Sequence, residues 1–324
     1  RVVIAYNPGG RIAQLGFPNG AVQTYQYDQR WGSVSAMTVV RGDQSLLDRR
    51  YLYGPGQLVE GIEERVSGTK ASYRYDENDA LVLADLDEGG HAGRIDYRYD
   101  ANGNLVSETQ GGVETRYQYT GIGRQVRRGD NRQEYDPRGN LVAIHDGKAS
   151  TRFTYSADNR LIEAALPDGR RKVFHYDPAG RLIHTRIGDR ETHILWRGEH
   201  RLAEFDGTGQ LRRLYLYGSG VDRLLGVIED GQARYFHQDE LGSVMLVTGA
   251  SGRVLQRHAY LPYGEPTDRQ GSDTLFYAGA PYDADLDAYH MRARFYFPRL
   301  RRFASPDPLP GNLVVPLTLN PYQY

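Results

Sequence analysis

The chain has 324 residues, a formal net charge of −1 and no cysteine. The balanced charge argues against the basic surface of a nucleic-acid-binding protein, and the absence of cysteine excludes disulfides, thiolate metal ligands and cysteine nucleophiles. The 25 tyrosines and 38 glycines instead favour strands joined by turns. No apolar run approaches the length needed to cross a bilayer.

A short aromatic motif recurs along most of the chain. It reads YQYD from Tyr25, YRYD from Tyr73 and again from Tyr97, and FHYD from Phe174, with looser copies between them. Successive copies are roughly twenty residues apart, a spacing typical of repeat proteins. Alternate residues of a strand point to the same face, so each motif predicts a strand that presents two aromatic rings to one side.

Each motif runs into a turn sequence such as Asp136-Pro137-Arg138-Gly139. Asp suits the first position of a type I turn, Pro the second and Gly the fourth, and such a turn followed by a left-handed residue is a common hairpin connection. A second turn signal, Asp-Gly or Gly-Gly, lies between the copies. We interpret the repeated aspartates and glycines as structural turn residues, the clearest being Asp100, Gly103, Asp136, Gly139, Asp177 and Gly180.

These signals predict an all-β chain folded as a long antiparallel meander, with strands of about five to seven residues. Helical periodicity is nearly absent. The stretch from Asp283 to Arg294 is the best candidate for a short helix.

The C-terminal third carries the most specific motifs. It contains YFHQDELGSVMLVTGASGRVLQRHAYLPYGE from Tyr235, MRARFYFPRLRRFASPDPLPGN from Met291 and the closing LNPYQY. Together with the repeated YDxxGNL and YDxxGRL units, these motifs resemble the Rhs family of YD-repeat proteins, which includes bacterial Rhs toxins, Tc toxin C components, wall-associated proteins and teneurins. The resemblance implies a meander that spirals into a hollow, barrel-like shell or cocoon. It also implies a repeat shell over residues 1–234 and a terminal module over 235–324 that ends or plugs it. Because family shells are usually longer, we expect this span to be part of one.

The resemblance implies two alternative functions. The first is a structural shell that encloses a C-terminal toxin domain of the same polypeptide, in a bacterial effector that is secreted or delivered. Its partners would be that toxin domain and proteins of a secretion or delivery apparatus, with no nucleic acid and no cofactor. The second is an extracellular adhesion or carbohydrate-binding barrel of the teneurin or wall-associated kind.

The terminal module of many bacterial members is also an aspartic self-protease. Motif matching makes Asp307 the candidate first carboxylate and Arg294 its supporting cation, while the alternative is a turn aspartate and an ordinary salt-bridge arginine. The chain departs from the family pattern at Phe297, where the family has Asp, and at Arg301, where it has Gly. Proton sharing needs two carboxyl groups, so we expect no enzymatic activity, with Asp307 and Arg294 as an incomplete half-site.

The nine histidines are scattered along the chain. None falls into an HxxxH or HxH spacing. On this local pattern we expect no metal site.

Overall fold

A computed structural model of the protein describes residues 1–88, 91–218, 223–269, 272–309, 311 and 320–324. The described residues are almost entirely strands and turns, and two 3₁₀ turns, Pro55–Gln57 and Ser272–Thr274, are their helical elements. None of the helices in this described part is long or apolar enough to span a membrane. The all-β expectation is confirmed.

Twenty-five strands form one long sheet, and in the pairs whose register is described the two strands are consecutive in the chain and antiparallel. They are 4 to 10 residues long, a wider range than expected. In chain order they are β1 (Val3–Tyr6), β2 (Ile12–Gly16), β3 (Ala21–Tyr27), β4 (Val34–Arg41), β5 (Gln44–Tyr53), β6 (Val59–Glu64), β7 (Thr69–Tyr75), β8 (Leu81–Glu88), β9 (His91–Tyr99), β10 (Leu105–Gln110), β11 (Val113–Tyr119), β12 (Gln125–Arg128), β13 (Asn131–Tyr135), β14 (Leu141–Asp146), β15 (Ala149–Tyr155), β16 (Leu161–Ala165), β17 (Arg171–Tyr176), β18 (Leu182–Ile187), β19 (Arg190–Arg197), β20 (His200–Asp206), β21 (Leu211–Tyr217), β22 (Leu224–Glu229), β23 (Gln232–Gln238), β24 (Val244–Gly249) and β25 (Val254–Arg257).

Five shorter strands form a second sheet near the C-terminus. They are β26 (Phe276–Tyr277), β27 (Ala280–Asp283), β28 (Ala288–Met291), β29 (Arg294–Phe297) and β30 (Arg302–Phe303). The stretch from Asp283 to Arg294 therefore forms a β-hairpin and its flanks, and the helix expected there is wrong. Asp287 and Arg292 both have a φ of 56°, which is incompatible with a right-handed helix. They place a turn on each side of β28.

The YD turn has the hairpin geometry that its sequence predicts. In the copy after β13, the Gly139 amide donates to the Asp136 carbonyl at 3.0 Å and the Asp136 amide donates to the Asn140 carbonyl at 2.9 Å. The strand register shifts by one residue between Glu134 and Tyr135, as it does when a type I turn is followed by a bulge.

The same turn is built at each of the clearest copies. The carboxylates of Asp100, Asp136 and Asp177 each accept a hydrogen bond of 2.9 Å from the backbone amide four residues further along. The fourth-position residue has a positive φ, which glycine adopts without steric cost. The values are 73° at Gly103, 94° at Gly139 and 82° at Gly180.

In several repeats the second aromatic residue ties that repeat to the preceding one. The Tyr176 hydroxyl donates to the Leu161 carbonyl at 2.8 Å, and the Trp196 indole N–H takes the same place by donating to the Leu182 carbonyl at 2.7 Å. A buried backbone carbonyl thereby gains a partner that the bulged ladder does not supply. Further instances are Tyr27 to Ile12, Tyr53 to Val34, Tyr75 to Val59 and Tyr119 to Leu105.

The chain divides into two units. The first comprises 1–96, 215–262 and 266–279, and an apolar cluster in it includes Leu15, Met37 and Leu246. The second comprises 97–214, 263–265 and 280–324. It holds β10–β20 and β27–β30, together with the candidate site. In this second unit we call the following buried residues the terminal cluster: Leu141, Phe153, Leu161, Ala164, Leu166, Phe174, Leu182, Ile187, Ile194, Leu286, Ala288, Phe295, Phe297, Leu300 and Ala304.

Candidate functional site

Asp307 and Arg294, the two residues singled out by motif, meet in the second unit. Arg294 opens β29, and Asp307 lies four residues after the end of β30. The chain segment around Pro321 lies beside both, because the Asp307 amide donates to the Pro321 carbonyl at 2.9 Å. Arg294 Nη1 donates to the same carbonyl at 3.1 Å. The closing segment of the chain is thus bonded to both candidate residues.

The pair is a close ion pair. Arg294 Nη2 lies 2.6 Å from Asp307 Oδ2, and the guanidinium sits 3.7 Å from the centroid of the Phe303 ring. The other carboxylate oxygen, Oδ1, accepts the Leu309 amide at 3.0 Å. Burial lowers the pKa of the Arg294 guanidinium, and the negative charge of Asp307 opposes that shift. The arginine therefore orients the carboxylate.

This arrangement supplies one carboxylate and its cation, which is half of an acid–base pair. An aspartic protease shares one proton between two carboxyl groups on opposite sides of a water. In the described residues, the hydrogen-bonding partners of the Asp307 side chain are the guanidinium of Arg294 and the amide of Leu309. Residues 310 and 312–319 lie outside the described part of the chain.

Two carboxylates close in sequence to Arg294 are held by cations of the repeat strands. Lys172 Nζ, on β17, lies 2.7 Å from Asp283 and 2.9 Å from Asp285. Asp285 is also 3.2 Å from Arg170 and 2.6 Å from Arg190. Burial acts to raise the pKa of Asp285, but Lys172 and the two arginines more than offset it, so that the pKa is lowered. These carboxylates anchor the β27–β28 turn to β17–β19, an attachment that sequence reasoning missed because it joins residues about a hundred positions apart.

Phe297, which replaces the family's aspartate, is a core residue. Its side chain is buried in the terminal cluster, with its ring centroid 5.5 Å from that of Phe153 in an edge-to-face arrangement. Phe295, two residues earlier, packs in the same way on Phe174 at 5.3 Å. Edge-to-face pairs of this kind add to the free energy gained from burial. The substitution thus converts a polar position into an anchor between β29 and the repeat strands.

Arg301, which replaces the family's glycine, keeps the backbone conformation of a glycine. Its φ is 58°, in the left-handed region. The guanidinium is buried and forms an ion pair with the equally buried Glu108, and it lies over the rings of Tyr97 at 5.6 Å and Tyr263 at 4.8 Å. Arg128 also approaches Glu108, at 3.3 Å. Sequence reasoning noticed the departure but had no signal for the partner, which lies on β10.

Comparisons with known proteins agree with this fold. The family model described as Teneurin YD-shell matches residues 23–324. The "tRNA3(Ser)-specific nuclease WapA" of Bacillus spizizenii is 33% identical over 126 residues, which is 37% of this chain and 5% of that protein. The "tRNA nuclease WapA" of Bacillus subtilis is 28% identical over 126 residues, which is again 37% of this chain and 5% of that protein. The chain therefore spans about a twentieth of the length of these curated relatives.

A solved structure shows the same fold over nearly the whole chain. It is the Tc holotoxin pore of Photorhabdus luminescens with a mutation in TccC3, which superposes with a TM-score of 0.80 at 16% identity. The match covers 99% of this chain and 18% of that one. The repeated YD turns, the long antiparallel meander and the family match over all but the first residues lead to one conclusion: the chain belongs to the Teneurin YD-shell family.

Proposed function

We propose that this chain is part of an encapsulating shell that encloses a toxin domain of the same full-length polypeptide until delivery. The observation that carries the proposal is the packing of β29 in the second unit. Phe295 and Phe297 insert edge-to-face against Phe174 and Phe153 of the repeat strands, so the terminal module is fixed to the sheet by apolar contact. Likeness to WapA nucleases and to a Tc holotoxin chain supports the association with toxins.

The proposal assigns the repeated aspartates a structural role and the whole span no catalytic one. Asp100, Asp136 and Asp177 accept the same backbone hydrogen bond at each copy, which is what a turn requires. A catalytic residue would be expected to occur once. The unique pair, Arg294 and Asp307, forms an ion pair that fastens the closing segment near Pro321.

Limited proteolysis of the natural full-length protein tests the enclosure. We expect the segment following this span to resist a nonspecific protease in the native protein and to become sensitive when the packing of β29 is broken by Phe297→Ala. Leu195→Ala, at a side chain that is exposed on the repeat sheet, is the matched control and should leave protection intact. Cleavage of the following segment at the same rate in native and Phe297→Ala protein would refute enclosure. If the full-length protein carries adhesion modules in place of a toxin domain, the extracellular alternative is favoured instead.

The absence of catalysis has its own test. The intact mass of the 324-residue chain should stay constant over days at neutral pH. The same measurement on the full-length protein, with Asp307→Asn and with Asp130→Asn as an exposed control, asks whether Asp307 acts with a carboxylate elsewhere. A specific cut that Asp307→Asn abolishes and Asp130→Asn leaves unchanged would show that this span is half of a protease.

A further inference from the structure

Three histidines lie side by side across three adjacent strands of the second unit. His175 on β17 is opposite His184 on β18, which is opposite His193 on β19. The ring centroids are 5.0 Å and 4.6 Å apart. Phe174 and Ile194, the sequence neighbours of the outer two, are buried in the terminal cluster. Because side chains alternate along a strand, the three imidazoles project from the opposite face of the sheet.

A carboxylate completes the group. Glu191 lies two residues before His193 on β19 and shares its face. Its Oε2 is 3.9 Å from His184 Nε2 and 3.9 Å from His193 Nε2. One ligand atom from each of the three side chains lies within 4.8 Å of the other two. The two 3.9 Å separations are too long for hydrogen bonds, and they lie within about 0.6 Å of the roughly 3.3 Å between ligands that metal bonds of about 2.0 Å require around zinc.

One ring nitrogen in this group lacks a hydrogen-bond partner among the described residues. His184 Nε2 is buried and has no hydrogen-bond partner in the described part of the chain. The other ring nitrogen, Nδ1, lies 2.9 Å from His175 Nδ1. If Nδ1 of His184 carries the proton and donates it to His175, the Nε2 lone pair faces Glu191 and His193. Metal-binding histidines are oriented in this way, by a hydrogen bond from the nitrogen that does not bind the metal.

The electrostatics keep the central imidazole in its ligating form. Burial lowers the pKa of His184, and His193 and His175 lower it further, while Glu191 acts in the opposite direction. The exposed cation Arg186, opposite Glu191 in the strand register, also lowers it. These effects favour the neutral imidazole, which is the form that binds a metal.

We propose that His184, Glu191 and His193 form a binding site for a divalent transition metal of the zinc class. Two imidazole nitrogens and one carboxylate oxygen suit Zn²⁺, Ni²⁺ or Cu²⁺ and do not suit Ca²⁺ or Mg²⁺, which prefer oxygen ligands. The side chain of His193 is 51% exposed, so a metal can enter from solvent and keep a fourth ligand position open to water. His175 is the positioning residue. A bound ion would cross-link β18 and β19.

Isothermal titration of the metal-free, untagged chain with ZnCl₂ at pH 7.5 tests the site. We expect saturable binding of one ion, and binding that is lost near pH 5 because protons compete for the imidazoles. His193→Ala and Glu191→Gln change partly exposed side chains and should weaken binding at least about 100-fold. His175→Ala should weaken it about 10- to 100-fold, the usual effect of losing a residue that orients a ligand.

The chain offers a matched control. His145 lies 3.1 Å from Glu134 across neighbouring strands, a similar pair of one imidazole and one carboxylate. His145→Gln should leave zinc affinity unchanged, and urea unfolding without metal should show that all variants remain folded. Absorption of the Co²⁺-loaded chain should change in intensity in Glu191→Gln and stay the same in His145→Gln. Absence of saturable binding, or binding that survives both His193→Ala and Glu191→Gln, would overturn the proposal.

Discussion

Gly139→Ala tests whether the YD turn and the closing segment of the chain stabilise each other. Gly139 has a φ of 94°, and a Cβ atom there would lie 2.5 Å from the Tyr322 hydroxyl oxygen. That hydroxyl donates to the Gly139 carbonyl at 2.9 Å. A left-handed alanine costs about 1–2 kcal/mol, and restriction of the unfolded chain returns about 0.4–1 kcal/mol. Loss of the buried hydrogen bond adds about 1 kcal/mol, so the free energy of unfolding should fall by about 2 kcal/mol.

Gly169→Ala is the matched control for this prediction. Gly169 has a φ of 86°, but an added Cβ would contact nothing within 4 Å, so only the net backbone cost of about 1 kcal/mol remains. Urea unfolding at 25 °C measures both variants. In a Tyr322→Phe background, Gly139→Ala should cost about 1 kcal/mol less than in the natural chain, because the clashing hydroxyl is already gone. Equal losses for the two glycine variants, or no coupling to Tyr322, would refute the reasoning.

Three further predictions follow from the buried groups. Arg301→Gly restores the family residue but leaves Glu108 buried without its main partner, so urea unfolding should show a loss of about 3 kcal/mol or more, whereas simple relief of the positive φ would raise stability. Phe297→Asp, also the family residue, should lower the urea midpoint strongly, because it places a charge in the terminal cluster, and an unchanged midpoint would contradict the core assignment. Stability should fall as pH drops from 6.5 towards 4, since burial holds the folded-state pKa of three histidines well below their unfolded value of about 6.5. Asp239 acts in the opposite sense, because burial and the neighbouring Glu240 raise its pKa, so about two protons net should be taken up on unfolding near pH 5. The free energy of unfolding, measured by urea titration from pH 7 to 4.5, should then fall by about 3 kcal/mol per pH unit near pH 5. A free energy of unfolding that does not change with pH would argue against burial of the neutral histidines. The folded-state pKa values are about 3 for His237, about 4 for His258 and about 3 for His290.

The repeat architecture could be predicted from the sequence because its determinants are local. Asp136, Pro137 and Gly139 lie within four positions, and each contributes to the turn through its own side chain or its own φ. The hairpin register follows from that turn. The aromatic ladder could also be predicted, since a tyrosine recurs at the bulge in most copies, although its partner carbonyl lies about fifteen residues earlier.

The candidate site could be predicted only in part, because its contacts join residues that are distant in sequence. Arg294 and Asp307 were found by motif, and the ion pair between them is observed. The helix expected from Asp283 to Arg294 is wrong because positive φ values at two non-glycine residues turn the chain where periodicity alone favoured a helix. Spacing rules such as HxxxH detect only ligands that lie within one helix or one strand. They miss His184 and His193, which are nine positions apart in sequence and directly opposite in the sheet.

The two departures from the family pattern show how this fold tolerates divergence near the C-terminal end of the chain. A glycine position with a φ of 58° can accept Arg301 only if the strain is offset, and here the offset comes from the buried pair with Glu108 and from the rings of Tyr97 and Tyr263. An aspartate position can accept Phe297 only if a cavity or an aromatic neighbour receives it, and Phe153 does. In each case one compensating residue, Glu108 for Arg301 and Phe153 for Phe297, lies on a strand of the long sheet. The segment that carries Phe297 and Arg301 therefore depends on these two strand residues, and it should pack poorly on a sheet that lacks Glu108 and Phe153 even though every YD turn is intact.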